Sequence, residues 1–167
     1  MRKNNDFYPT PHSFINALVK NIPYYFDRND VVWECCAGDN RLVDALKKDK
    51  RKVIATDISN GEHEDFFNYK KALAPTIITN PPFKDIRKFI DHAFNIGVWR
   101  MMIFCNERLF ACKKGYQQIQ RHRPAKFINL SWREDFLGKG GKPDRSMAIT
   151  QWDSPHTTRT IYEVWDQ

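Results

Sequence analysis

Glycine is scarce in this chain, with seven among 167 residues, and only Gly38 stands in the turn that follows the first strand-like run. A dinucleotide fingerprint wants three glycines there, so a pyrophosphate ligand, and with it a dehydrogenase, is disfavoured. Cysteine is sparse and poorly spaced for metal. Cys35 and Cys36 are adjacent, whereas Cys105 and Cys112 have no paired His or Cys at finger-like spacing. No zinc or other metal site is therefore expected, and the four read as reduced core thiols. No apolar run approaches membrane-spanning length and no apolar signal segment opens the chain, so a soluble cytoplasmic protein with no membrane partner is expected. The five histidines, His12, His63, His92, His122 and His156, are scattered, and none is assigned a catalytic role. Internal repeats, low-complexity tracts and domain linkers are absent from the sequence.

Acidic charge is also in deficit. Lys and Arg number 27 against 20 Asp and Glu, a formal net charge of +7, with an isoelectric point near 9.3. Such an excess favours a polyanionic partner through counterion release. Two basic clusters stand out, residues 47–52 and 121–123. The first reads as a solvated turn with cations near a helix C-terminus. At 167 residues and 41% hydrophobic, the chain suits one compact domain over residues 1–167 with a proper core.

What is present is an alternation of strand and helix signals. Strands are expected at residues 31–34, 52–56, 76–79, 101–105, 126–132 and 147–152, with 159–165 as a further edge strand. Helices are expected at 41–50, 84–96 and 115–121. In the second of these, Ile86, Phe89, Ile90, Ala93 and Phe94 recur at helical spacing before Gly97.

The run Thr76-Ile77-Ile78-Thr79 ends in Asn80-Pro81-Pro82-Phe83, so a buried strand opens abruptly into a rigid turn. Chemistry in open α/β sheets sits at such strand ends. The tetrapeptide suits a reaction on an aromatic amine held outside a nucleic acid stack. An exocyclic base nitrogen is a poor nucleophile because its lone pair is conjugated into the ring. The Asn80 side-chain oxygen and the Pro81 carbonyl can each accept one N–H, favouring a tetrahedral nitrogen. The prolines fix the φ angles that aim those acceptors, and Phe83 offers a flat face for an extruded base.

Upstream, Val31-Val32-Trp33-Glu34 leads into Cys35-Cys36-Ala37-Gly38-Asp39-Asn40 and then a helix. A tight turn lets backbone approach a ligand, and an acid at the strand end can meet a cationic amino group. Asp57 closes the next strand, where a carboxylate can accept from both hydroxyls of an unphosphorylated ribose. Asp65 and Phe66 precede another turn, where an acid could take an adenine amino hydrogen and an aromatic cover the ring. Glu34 and Asp57 could instead cap the helices that follow, and Phe66 or Phe67 could simply be core.

Taken together these residues resemble the class I S-adenosylmethionine-dependent DNA N6-adenine methyltransferases, especially the small phage-type ones. Tyr8-Pro9-Thr10-Pro11 resembles the motif that contacts the methionine moiety. Glu34 to Asn40, including Cys36, Ala37 and Gly38, resembles the glycine loop. Asp57, with Ile58 beside it, resembles the ribose-binding acid, Asp65-Phe66 the adenine-binding pair, and Asn80-Pro81-Pro82-Phe83 the catalytic tetrapeptide. Cys35 stands where Pro is common and Asn40 where a second Gly is usual, though Asn tolerates left-handed backbone better than most residues. The resemblance implies S-adenosyl-L-methionine as cofactor and DNA as partner, in a bacterial or phage-infected cell. It also implies an α/β class I methyltransferase Rossmann-like fold: a mostly parallel twisted sheet with a C-terminal antiparallel hairpin and helices on both faces.

Family members of this motif order place a base-reading domain in one of two positions, and neither has room here. No separate target-recognition domain is expected, and sequence recognition should be relaxed or short. A homodimer is an expectation from size alone. Between the hairpin strands, residues 134–145 contain Gly138-Lys139-Gly140-Gly141-Lys142-Pro143 and read as an irregular basic loop. Lys139, Lys142 and Arg145 are candidates to hold phosphates, and Trp132 and Phe136 to stack. The tetrapeptide does not by itself separate DNA from RNA, adenine N6 from cytosine N4, or a base from a glutamine amide, and a catalytically silent nucleic acid-binding module remains an alternative.

Overall fold

A computed structural model describes residues 9–134, 145–153 and 157–166. Its centre is a seven-stranded sheet. The strands are β1 (Val31–Glu34), β2 (Lys52–Ala55), β3 (Thr76–Thr79), β4 (Arg100–Asn106), β5 (Lys126–Glu134), β6 (Arg145–Trp152) and β7 (Ile161–Trp165). Their spatial order is β2-β1-β3-β4-β6-β5-β7. All neighbours are parallel except at β6, which is antiparallel to both β4 and β5. The expected hairpin is therefore β5 with β6, inserted so that β6 lies beside β4. Both of its strands run longer than the apolar pattern suggests, because pairing continues through Glu134 and Arg145 past a bulge between Asn129 and Arg133.

Alternation of side chains divides the core into two layers. Val32, Ile78, Met102, Phe104, Met147 and Ile149 face one way, toward Phe14, Leu18, Leu42 and Leu46. These last four belong to α1 (His12–Asn21) and α2 (Arg41–Lys48). Trp33, Ile77, Met101, Ile103 and Cys105 face the other way, toward Ile86, Phe89, Ile90 and Ala93 of α3 (Ile86–Asn95). Beside α3 runs α4 (Lys113–Arg121), whose buried Gln118 donates to Asp91 at 2.9 Å. Helices thus cover both faces, and each fully buried aliphatic or Phe side chain stabilises the fold by about 1.5–3 kcal/mol.

None of the sequence expectations covers α1. Its apolar residues Phe14, Ile15, Ala17 and Leu18 are buried, and the ring of Phe14 lies 4.1 Å from that of Phe104. Helix α3 begins with the first residue of its apolar pattern, Ile86, two residues later than the expected start at 84. Pro82 has no N–H and its carbonyl accepts from Asp85 at 3.2 Å, so Phe83–Asp85 forms a 3-10 turn first. Between β2 and β3 the chain makes three short 3-10 turns, Ile58–Asn60, Glu62–Glu64 and Phe66–Asn68.

Parallel strands put all their carboxyl ends at one edge. Glu34, Ala55, Thr79, Asn106 and Glu134 end there, and the antiparallel β6 begins there at Arg145. Residues 47–52 and 121–123 connect helix ends to strand starts. Both basic clusters singled out in the sequence therefore sit at the opposite, amino edge.

Candidate active site

The carboxyl edge gathers most of the predicted residues through a chain of hydrogen bonds. At the end of β1, Glu34 is 1% exposed. Its Oε1 accepts from the Cys36 backbone at 3.0 Å and from the Thr79 hydroxyl. Thr79 is the residue before the tetrapeptide, so this bond ties the glycine loop to the candidate catalytic turn. Burial pushes the Glu34 carboxyl up to about 8, with a contribution from nearby Asp57, against the opposing pull of the Thr79 and Cys36 hydrogen bonds.

The loop itself is a compact turn. Ala37 N donates to Thr56 O at 3.1 Å, Asn40 N to Ala37 O at 2.8 Å, and Gly38 N to Asp57 Oδ2 at 2.8 Å. Gly38 and Asn40 both have left-handed backbone, at φ 53° and 64°. Asn40 thus occupies the kind of position for which glycine is usual, as its tolerance of that region allows.

Asp57 is the hub of the second strand end. Its Oδ1 accepts from Ser59 N at 2.9 Å, while its own N–H donates to Glu64 Oε2 at 3.0 Å. Burial opposes ionisation of Asp57, but the hydrogen bonds from Ser59 and Gly38 together hold its carboxyl below the ordinary value. Glu64 also accepts from Asn60 at 2.8 Å. This hydrogen bond and the one from Asp57 lower its carboxyl too. Ile58 is exposed beside them.

Asp65 and Phe66 part company in space. Asp65 Oδ1 accepts from Phe67 N at 3.0 Å and caps the turn. Phe66 is 4% exposed, stacked on Phe89 at 4.1 Å and close to Trp33 and His92. It serves the core because three rings surround it, and the exposed aromatic of this turn is Phe67.

The tetrapeptide follows β3, a strand buried at all four positions. Asn80 Nδ2 donates to Thr10 Oγ1 at 3.4 Å, bringing the N-terminal motif to the candidate catalytic turn. Pro81 is buried and Pro82 exposed. Phe83 is half-buried against the α1 side of the sheet, 6.3 Å from the ring of Phe104. Trp132, near the end of β5, packs on that same apolar cluster. Its indole N–H donates to Glu134, which also accepts from Ser13 of α1.

Sequence patterns did not single out Thr79, Glu64, Ser13 or Glu134. A hydroxyl residue closing the strand, next to the tetrapeptide, was the one available signal for Thr79. Pro9 borders Thr10, whereas Tyr8, Phe136, Lys139 and Lys142 lie outside the described residues, as does the Arg145 side chain. Among the described residues no cluster of His, Cys, Asp or Glu is arranged to hold a metal ion, and no helix is long and apolar enough to cross a membrane. Cys35 and Cys105 are buried and their thiols raised by that burial, Cys105 to about 12.

No family model and no curated protein matches the sequence. Solved structures do. A protein from Listeria monocytogenes assigned to the class I S-adenosylmethionine-dependent methyltransferases superposes with a TM-score of 0.61 at 11% identity, over 98% of this chain and 67% of its own. The methyltransferase subunit of a type I restriction-modification system from Streptococcus thermophilus gives 0.62 at 10%, over 93% of this chain. This chain spans about half of that subunit, 47%. A 23S rRNA methyltransferase gives 0.61 at 10%, over 88% of this chain and 70% of its own. The chain has the class I methyltransferase fold. At these identities the likeness establishes architecture alone, and chemistry has to be argued from the site.

Proposed function

We propose that this protein transfers a methyl group from S-adenosylmethionine to the exocyclic N6 amine of adenine in DNA, with relaxed or short sequence recognition. The observation that carries this reading is the position of Asn80-Pro81-Pro82-Phe83. The tetrapeptide leaves the carboxyl end of an interior strand next to β1 and is joined by Thr79 to the buried acid of the glycine loop.

The donor fits the acidic residues on the β1 and β2 side. Asp57 spends one lone pair of each oxygen on Gly38 and Ser59, and a carboxylate has about four acceptor sites, so two remain for ribose hydroxyls. Glu34 offers a buried carboxyl for a cationic amino group. In this reading Phe67, the exposed ring of its turn, covers the adenine, and Asp65 beside it takes the amino hydrogen. When bound, S-adenosylmethionine supplies an electrophilic methyl group on a sulfonium centre.

The protein's own residues prepare the nucleophile. Thr10 faces the nitrogen side of the Asn80 amide, which turns the amide oxygen away from Thr10. That oxygen and the Pro81 carbonyl each accept an N–H of the target amine, freeing its lone pair from the ring, and neither has to act as a base. Two prolines hold the acceptors at fixed φ. Phe83 and Trp132, on one apolar cluster, are the aromatic surfaces that suit an extruded base.

The test is transfer of tritiated methyl from S-adenosylmethionine to unmethylated duplex DNA, single-stranded DNA and RNA, followed by mass spectrometry of the nucleosides. N6-methyldeoxyadenosine is the expected product. Label confined to RNA would move the substrate to RNA adenine, a reading favoured by the likeness to a 23S rRNA methyltransferase, and N4-methyldeoxycytidine would move it to cytosine. Donor binding without label on any nucleic acid would overturn the assignment.

A further inference from the structure

The sequence offers three basic clusters for nucleic acid, and the topology sends two of them, residues 47–52 and 121–123, to the amino edge. A fourth, which no sequence run marks, is assembled only in space. Lys84 follows Phe83 directly, and Lys88 lies in the first turn of α3. Arg108 belongs to the β4–α4 connection, and Lys113 and Lys114 open α4. All five side chains are exposed. All stand at the carboxyl edge, on the α3 side of the tetrapeptide.

Two contacts make this a fixed surface rather than a set of independent chains. The Arg87 guanidinium, from the first turn of α3, donates to the carbonyl of Leu109 and, at 3.3 Å, to Cys112 Sγ. It thereby fastens the β4–α4 connection to the helix that follows the tetrapeptide. Gly115 lets α4 approach the same connection, since a Cβ there would lie 2.5 Å from the Phe110 Cα. Among the described residues the acids nearby are few. Asp85 lies 3.8 Å from Lys88 and Glu107 lies 3.9 Å from Arg108, long contacts on exposed cations that leave the surface positive. Tyr116, 62% exposed, stands one helical turn from Lys113 on the same outward face.

We propose that this surface, Lys84, Lys88, Arg108, Lys113 and Lys114, binds the sugar-phosphate backbone of the nucleic acid strand that presents its base to Asn80. The inference rests on the nucleic acid methyltransferase reading above. Cations spaced along two helix starts and the connection between them contact consecutive phosphates without reading bases. Sequence-independent grip of this kind is what an enzyme with relaxed recognition requires. Arg87 is a positioning residue, holding the connection that carries Arg108.

The experiment measures affinity for a fluorescent DNA duplex across a salt series, by anisotropy, for a Lys84→Gln/Arg108→Gln/Lys113→Gln/Lys114→Gln variant. A second variant, Lys47→Gln/Lys48→Gln/Lys50→Gln/Lys52→Gln, removes the same charge from the amino edge. Each lost phosphate contact lowers the slope of log K against log salt by about 0.9 on duplex DNA. The carboxyl-edge variant is expected to lose about two or more from that slope and to bind roughly tenfold or more weakly at moderate salt. The amino-edge variant is expected to keep the parent slope, and both are expected to keep S-adenosylmethionine affinity and melting temperature. Equal slopes for parent and carboxyl-edge variant, or an equal fall in both variants, would overturn the proposal. Methyl transfer is assayed separately: a surface-dependent slope without transfer overturns the activity assigned above, and transfer with a surface-independent slope overturns this inference alone.

Discussion

The two halves of the carboxyl edge carry opposite charge. Beyond β1 and β2 stand Glu34, Asp57, Glu62, Glu64 and Asp65, and beyond β3 and β4 stand Lys84, Arg87, Lys88, Arg108, Lys113 and Lys114. In the acidic half Glu34 is buried, Asp57 accepts from Gly38 and Ser59, and the Asp57 backbone donates to Glu64. The basic half is open to solvent. A parallel sheet produces this division simply, since each strand delivers its own connection to one edge and each connection can hold its own charge. For the proposed reaction, a cationic nucleoside donor and a polyanionic acceptor would meet complementary surfaces side by side, with Asn80 on the boundary.

Removing the boundary residue should have the largest effect. Asn80→Ala is expected to cut turnover by a factor on the order of a hundred or more, as loss of one preorganised polar contact does, while donor affinity stays close to the parent value. Single-turnover kinetics and titration calorimetry separate the two. An equal loss in both would place Asn80 in donor binding instead. On the acidic half, Asp57→Ala is expected to raise the donor dissociation constant by roughly tenfold or more, because hydrogen bonds to a charged group contribute about 1.5–3 kcal/mol. A fall in turnover with donor affinity unchanged would separate Asp57 from the cofactor half of the comparison.

Much of the acidic half was legible in the sequence, and little of the basic half. Glu34, Gly38 and Asp57 sit at strand ends that hydrophobic runs announce, and the tetrapeptide is contiguous, so order along the chain already implies their neighbourhood. Asn40 was readable for the same reason, as one of the few residue types at ease at φ 64°. Lys84 is separated from Arg108 and Lys113 by more than twenty residues of helix and strand, and only the parallel pairing of β3 with β4 brings their connections together. The contiguous basic runs pulled attention to the amino edge. Phe66 shows the complementary difficulty, since sequence alone does not tell which ring of the pair Phe66-Phe67 faces Trp33 and Phe89. Helix α1 went unread because its outward face is short and mixed, and its inward face is defined by Phe104, some ninety residues away.

Phe83 tests the side of the boundary proposed to face the substrate. Phe83→Ala is expected to weaken single-stranded DNA by about 1–3 kcal/mol if the ring stacks on a base. The same change removes packing on the Phe104 cluster, so Phe83→Leu is the companion variant, retaining apolar volume without a flat face. Weakened binding in both variants with melting temperature lost only in Ala would support stacking. Full affinity in Leu would assign Phe83 to the core.

The smallest expected effect concerns Glu34, and it asks whether the acidic half is built for a cation. With its carboxyl pushed up from an ordinary 4.5 to about 8, the folded chain prefers the neutral acid. The resulting stabilisation is fully present below pH about 4.5 and is lost as pH rises through about 8. The melting temperature of the parent relative to Glu34→Gln should therefore decline between pH 5 and 9, which differential scanning fluorimetry can follow. A bound cationic amino group favours the charged carboxylate and opposes that shift. Near pH 7, donor binding should then release up to one proton, read by calorimetry as an enthalpy that differs between buffers of unlike ionisation heat, and the Gln variant should lose that difference. Proton release absent from the parent, with a pH-independent stability difference, would mean that Glu34 is already ionised and that its burial serves the Thr79 link alone.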